Sequence, residues 1–321
     1  MKLEHLLAAA GLAAVSLACG GAAAQGLQLG FPVDCRLGQT CEIQNYVDRD
    51  PVQGVVKDYR GGSLTYDKHT GTDIRIPDLA AKAAGVNVLA AADGRVLNVR
   101  DGVPDVAVRN AAEAEAISSQ GCGNAVGISH EGGYSTYYCH MAQGSVRVKT
   151  GDAVKAGQPI GRIGVSGLSE YPHLHFMVRR AGQLVDPFEA SGGGALWRSP
   201  PPYKARAVLN TGFRSSGGVT MEQVESGRTE AITPAAPALV AYVRGIGLKA
   251  GDVEELTLRA PDGTVLAVNR STPLPRNRAQ QLIFAGKKRP VKGWAKGTYT
   301  ADYKVLSGGK VVLERQFRTG L

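Results

Sequence analysis

The chain has 321 residues, of which 43% are hydrophobic and 42 are glycine, and its formal net charge is +9. That length accommodates two ordinary domains with cores of their own, and the composition excludes a disordered chain in favour of a turn-rich globular one. The charge is unevenly placed: residues 205–321 carry 18 Lys/Arg against 9 Asp/Glu, so the rest of the chain balances to zero.

In chain order, the first element is Lys2 followed by the apolar "LLAAAGLAAVSLA" and the small-residue "AAAQ". This reads as a secretory signal over residues 1–24, cleaved after Ala24. The run is short for a membrane span, so no stable span is expected and the mature chain should be exported, to the periplasm or outside the cell. A lipid anchor at Cys19 is the rival, but "SLAC" puts Ser16 where such a signal has an aliphatic residue. Export changes the reading of the remaining cysteines. Cys35, Cys41, Cys122 and Cys139 are even in number, belong to an oxidising compartment and lack CxxC spacing. Three pairings are possible. Two disulfides are expected, Cys35 with Cys41 across a short loop and Cys122 with Cys139 between neighbouring strands.

Leu27 to Arg60 has little periodicity and is expected to wrap the domain that follows, over residues 25–190. Strand-like runs then recur between Gly and Asp turns: "NVLAA", "GRVLNVR", "NAVGISH", "YSTYYCHM", "SVRVK", "PIGRIG", "HLHFMVRR" and "QLVDP". Short strands at this spacing indicate an antiparallel sheet. "DVAVRNAAEAEAISSQG" interrupts them as a surface loop with a short Ala/Glu helix. The Gly/Pro-dense residues 191–204 read as a linker. Beyond it, residues 205–321 alternate apolar and polar positions around "PDG" and "SGG" turns, the pattern of a small β-sandwich. The expected fold is therefore mainly β, an antiparallel-sheet domain followed by a sandwich. The sandwich contains neither histidine nor cysteine, so it reads as a binding or packing module. Its basic character, including "GKKRP", suits an anionic cell-wall or envelope surface; nucleic acid is not an expected partner.

Three short pieces carry the candidate chemistry. In "PHLHF", strand alternation sends His173 and His175 to one face and Leu174 and Phe176 to the other. Pro172 fits a strand beginning there. In "KHTGTDIRI", His69 and Asp73 are four apart, and Gly71, Thr72 and Ile74 argue for a turn leading into a strand. In "GYSTYYCHM", alternation groups Tyr134, Thr136, Tyr138 with His140 and turns Cys139 away from them. A disulfide at Cys139 would then lie behind the face that carries His140. Each piece alone has an ordinary structural reading: an exposed pair, a capped turn, a core histidine. Taken together, His69, Asp73 and one histidine of the later strand make up the three protein ligands of a catalytic zinc site.

The order H-x-x-x-D, Y-x-H, "GDAVKAGQPIGRIGVSG", P-H-L-H-F resembles the M23 family of zinc metallopeptidases, the lysostaphin-like cell-wall endopeptidases, from about Gly61 to Pro187. The resemblance implies one Zn²⁺ per chain held by His69, Asp73 and His175, with His140 and His173 as catalytic histidines that are not ligands. It also implies hydrolysis of peptide crosslinks in the peptide stems of peptidoglycan. An exported protease acting on proteins or Gly-rich peptides, or a non-catalytic wall-binding or hydrolase-activating member, would share this fold. Glu170 and Tyr171 stand where the family commonly has Thr-Gly before the proline, so the rim of the cleft is expected to differ. The Asp105 to Gly121 insertion is expected near the groove. His130 falls outside the three pieces and reads as structural or exposed.

Overall fold

The structure is a computed structural model and describes residues 26–189, 194–228 and 230–321. The expected signal over residues 1–24, Cys19, and the start of the expected linker lie outside the described residues. No helix among them is long and apolar enough to cross a membrane.

Among the described residues, the first half contains ten strands: β1 (Glu42–Asn45), β2 (Thr72–Arg75), β3 (Asn87–Leu89), β4 (Gly94–Arg100), β5 (Asn124–Ser129), β6 (Tyr134–Met141), β7 (Ala153–Val154), β8 (Pro159–Arg162), β9 (His173–Arg180) and β10 (Gln183–Val185). Two short helices, α1 (Leu79–Ala84) and α2 (Ala111–Ile117), interrupt them. Asp78 and Asn110 cap these helices, each side chain accepting an N–H of the first turn. The main sheet runs β1-β2-β9-β6-β5-β4-β7, with β10 paired to β9, and its ladders are antiparallel. Its core face follows from alternation. Ile74, Leu174, Phe176 and Tyr138 are fully buried on one side, and register pairs Ile74 with Leu174 and Tyr138 with Phe176. Both expected disulfides are present, Cys35–Cys41 and Cys122–Cys139.

"SVRVK" does not form the strand expected of it. The carboxylate of Asp101 accepts the N–H groups of Gly144 (2.6 Å) and Val146 (3.0 Å), which holds this stretch in an open loop. Arg147 N–H donates across to the Ile160 carbonyl, and the Ser145 hydroxyl accepts the Arg162 N–H.

The second half contains β11 (Ala207–Arg214), helix α3 (Met221–Ser226), β12 (Ala238–Leu248), β13 (Val253–Arg259), β14 (Val265–Arg270), β15 (Arg278–Lys288), β16 (Thr298–Ser307) and β17 (Lys310–Gly320). A three-stranded sheet, β11-β12-β15, faces a four-stranded one, β14-β13-β16-β17. Leu239, Ala241 and Val243 of the first sheet share a core with Leu256, Leu258, Tyr299 and Val305 of the second. The β16–β17 hairpin turns on Gly308 and Gly309, both at positive φ (55° and 79°), as a two-residue hairpin loop requires.

Candidate metal centre

The centre is assembled at the β2–β9 ladder. Asp73 of β2 lies directly opposite His175 of β9, and Arg75 opposite His173, so these four side chains share the face away from the core. His69 reaches the same point from the loop before β2. Its Nδ1 lies 2.6 Å from the Tyr46 carbonyl, so Nδ1–H donates there and Nε2 is turned to the shared point. That Nε2 is 3.1 Å from Asp73 Oδ1 and 3.1 Å from His175 Nδ1, while His175 Nδ1 and Asp73 Oδ1 are 2.9 Å apart. The other Asp73 oxygen accepts from Asn45 Nδ2 at 2.9 Å, which fixes the carboxylate plane. His175 Nε2 faces the Thr70 hydroxyl at 3.3 Å.

All three groups are buried, and their ligand atoms form a compact triangle. Two imidazole nitrogens and a carboxylate oxygen aimed at one point need a shared electrophile. A tetrahedral zinc site with bonds of about 2.0–2.1 Å has ligand–ligand edges of roughly 3.3 Å. The observed edges of 2.9–3.1 Å are somewhat shorter than this, so the three atoms are close enough to share one ion, and the donor chemistry fits zinc.

His140 and His173 flank this triangle. Their ring centroids are 4.7 Å apart, and His140 is 5.9 Å from His175. Each is tied by Nδ1 to a backbone carbonyl: His140 to Ser166 (2.8 Å) and His173 to Tyr171 (2.9 Å). The tether leaves Nε2 as the free nitrogen of each ring, and His173 Nε2 is 3.6 Å from Asp73 Oδ1. Burial pushes the imidazolium of His140 well below its usual range, with the neighbouring His173 and His175 adding to it. Burial also lowers His173, against the pull of Asp73. Burial opposes ionisation of Asp73, yet His69 and His173, with hydrogen bonds from His175 and His69, hold its carboxyl well below the carboxylate range.

The expectation for the face of His140 needs correction. Register pairs Cys139 with His175 and Tyr138 with Phe176, so Cys139 is on the site's face and Tyr138 is in the core. Strict alternation would send His140 to the core beside Tyr138. A positive φ of 61° at His140 breaks the alternation and swings the ring back toward His173. The Cys122–Cys139 disulfide thus abuts the site, and the Cys122 carbonyl accepts the His140 N–H at 2.8 Å. His130 is structural, as expected: its ring nitrogens meet the Asp93 carbonyl (2.7 Å) and the Thr136 hydroxyl (2.8 Å). The Asp105 to Gly121 insertion folds against the loop before β9, where Val108 N–H donates to the Ser169 carbonyl. Tyr46, Asn45, Ser166 and Arg75 were not singled out by sequence; Arg75 was accessible to the same period-two rule that groups Asp73 with His175.

Comparison with known proteins agrees with this geometry. The profile of peptidase family M23 matches residues 67–187, which include the three candidate ligands and both flanking histidines. Lysostaphin of Staphylococcus staphylolyticus is 34% identical over 34% of this chain and 20% of its own length. The DD-carboxypeptidase/endopeptidase Mpg of Neisseria meningitidis serogroup B is 35% identical over 38% of this chain and 23% of its own. The peptidoglycan DD-endopeptidase ShyB of Vibrio cholerae serotype O1 is 30% identical over 50% of this chain and 29% of its own. The chain thus spans less than a third of the length of each of these relatives. Residues 67–187 carry the profile of the family, its expected donor set and its flanking histidines in one place, and the chain therefore contains a peptidase family M23 domain.

Proposed function

We propose that this chain is an exported zinc metalloendopeptidase that hydrolyses peptide crosslinks of peptidoglycan. His69, Asp73 and His175 would hold the ion, and His140 and His173 would handle protons. The observation that carries the reading is the shared tethering of the two flanking rings. Each lies beside the ligand triangle with Nδ1–H committed to a backbone carbonyl, which leaves Nε2 as its free nitrogen. A bound zinc would supply Lewis acidity and a water acidified to a pKa of about 7. The chain's own contribution follows from geometry. Two buried, neutral imidazoles can accept a proton at Nε2 and return it to a leaving amine. The cation so formed beside Asp73 would be offset by that carboxylate. Once Nε2 is protonated, either ring can donate to a developing oxyanion, a contribution often worth a few kcal/mol.

The two disulfides and the leader-like opening of the sequence support export. The basic residues of 205–321 support contact with an anionic wall or envelope surface. The name of one relative, the peptidoglycan DD-endopeptidase ShyB, supports peptidoglycan as the substrate. The test is digestion of purified sacculi by the zinc-loaded chain, read by free-amine release and by mass spectrometry of the products. New amines at a stem-peptide crosslink are expected. Cleavage of protein or Gly-rich peptides with sacculi untouched would replace this reading with a general protease, and zinc binding without any cleavage would replace it with a non-catalytic member.

A further inference from the structure

Arg75 is the largest fully buried side chain on the site's face, two residues beyond Asp73 and opposite His173. Its guanidinium is occupied from both halves of the molecule. Nη1 donates to Gln44 Oε1 (2.7 Å) and Gln280 Oε1 (3.2 Å), and Nη2 donates to Glu225 Oε2 (2.8 Å). Glu225, from α3, and Gln280, from β15, lie 150 and 205 residues downstream. The same Glu225 oxygen accepts from Arg244 of β12, also fully buried, whose Nη2 donates to the Pro77 carbonyl just past β2. One carboxylate of the C-terminal sandwich thus pairs with two buried guanidiniums, one from each half.

Arg75 in turn positions Tyr171. Its Cζ is 3.8 Å from the centre of the Tyr171 ring, and the Tyr171 hydroxyl accepts from Gln44 Nε2 at 2.9 Å. The Tyr171 carbonyl is the group that accepts His173 Nδ1–H, and the two rings are 5.0 Å apart. Desolvated stacking of a guanidinium on a tyrosine is stronger than the same contact in water. A buried arginine stripped of its carboxylate would not keep this geometry.

We infer that the C-terminal sandwich is a working part of the peptidase site: Glu225, itself held by Arg244, and Gln280 hold Arg75, and the Arg75–Tyr171 stack holds His173 with Nε2 aimed at the ligand triangle. Arg75 and Tyr171 are positioning residues, and the inference rests on the proposed role of His173. It also gives Tyr171, which departs from the expected Thr-Gly, a specific task.

The test uses the full chain, with and without zinc. Tyr171→Ala should lower kcat at least about tenfold, in the range seen for residues that orient catalytic groups, with zinc still one per chain and KM little changed. Tyr171→Phe should stay near wild type. Glu225→Gln should lower kcat too, and combining it with Tyr171→Ala should add little, because both act through one chain of contacts. A readout independent of turnover is nitrogen NMR of the imidazoles. The His173 Nδ1–H should exchange slowly in wild type and faster in Tyr171→Ala and Glu225→Gln. If Glu225→Gln does not fold, Gln280→Ala replaces it in the NMR measurement. Wild-type kcat in Tyr171→Ala, multiplicative effects in the double variant, or an unmoved His173 signal in the sandwich variant would overturn the inference. A wild-type chain that cleaves nothing would overturn the proposed function instead, and the NMR measurement would still decide this one.

Discussion

Gly71→Ala is the sharpest perturbation of the candidate centre, because it adds one methyl group and removes no ligand. A Cβ at this position would stand 2.6 Å from His175 Nε2, 2.7 Å from its Cε1 and 2.8 Å from the Phe176 carbonyl. Carbon contacts relax only near about 3.5 Å, so the ring would have to withdraw by roughly 0.9 Å. The backbone cannot absorb this, because Phe176 is paired with Thr72 in the ladder that also aligns Asp73 with His175. The ring therefore moves, and its Nδ1 moves with it. Metal–ligand distances tolerate only about 0.2 Å. Zinc affinity should fall about 10- to 100-fold, the usual cost of disturbing a ligand's support, which is about 1.4–2.8 kcal/mol. The assay is competition with a chromophoric chelator, alongside thermal unfolding of the zinc-free protein to separate fold from metal. A folded Gly71→Ala protein that binds zinc within about twofold of wild type would refute the ring displacement argued here.

Two further outcomes follow from the packing. Burial raises the Glu254 carboxyl to about 7, against the Tyr303 hydroxyl that donates to it at 2.8 Å. Between the ordinary value near 4.5 and 7, the folded protein holds a proton that the unfolded chain has lost. Stability should therefore fall as pH rises across that window, by an order of a few kcal/mol, and level off above it. Denaturant melts at pH 5 and pH 8 should show this loss, and Glu254→Gln should abolish it; an unchanged pH dependence in that variant would exclude the assignment. The Cys122–Cys139 link closes a 17-residue separation, worth about 3 kcal/mol in a chain-entropy treatment. Because Cys122 also anchors the His140 N–H, Cys122→Ser/Cys139→Ser should lose turnover by more than its lowered melting temperature explains, while keeping zinc. Full turnover well below the melting temperature would remove any role for the link in placing His140.

Much of the centre was legible because its chemistry is local in sequence and strands alternate faces. His173 and His175 share a face as the period of two requires, and Asp73 meets His175 through simple antiparallel register. His140 was identified as a residue but placed on the wrong reasoning. Its ring reaches the site only because a positive φ breaks the alternation, and the modest enrichment of histidine in that conformation does not single out one position in a strand. "SVRVK" has strand composition, yet a side chain 45 residues away in sequence captures the N–H of Val146. The sandwich was legible as an element pattern, but its lack of histidine and cysteine made it look peripheral. Its contacts with the centre join Arg75 to Gln280 and Glu225 across 150 residues or more, and such pairings leave no periodic trace.

The central claim is that the two histidines of "HLH" differ in kind. The direct measurement is zinc content by elemental mass spectrometry, paired with crosslink cleavage, for wild type, His175→Ala and His173→Ala. The account predicts that His175→Ala loses both metal and turnover, whereas His173→Ala keeps one zinc per chain and loses turnover alone. Equal loss of zinc in the two variants, or turnover surviving in His173→Ala, would contradict it.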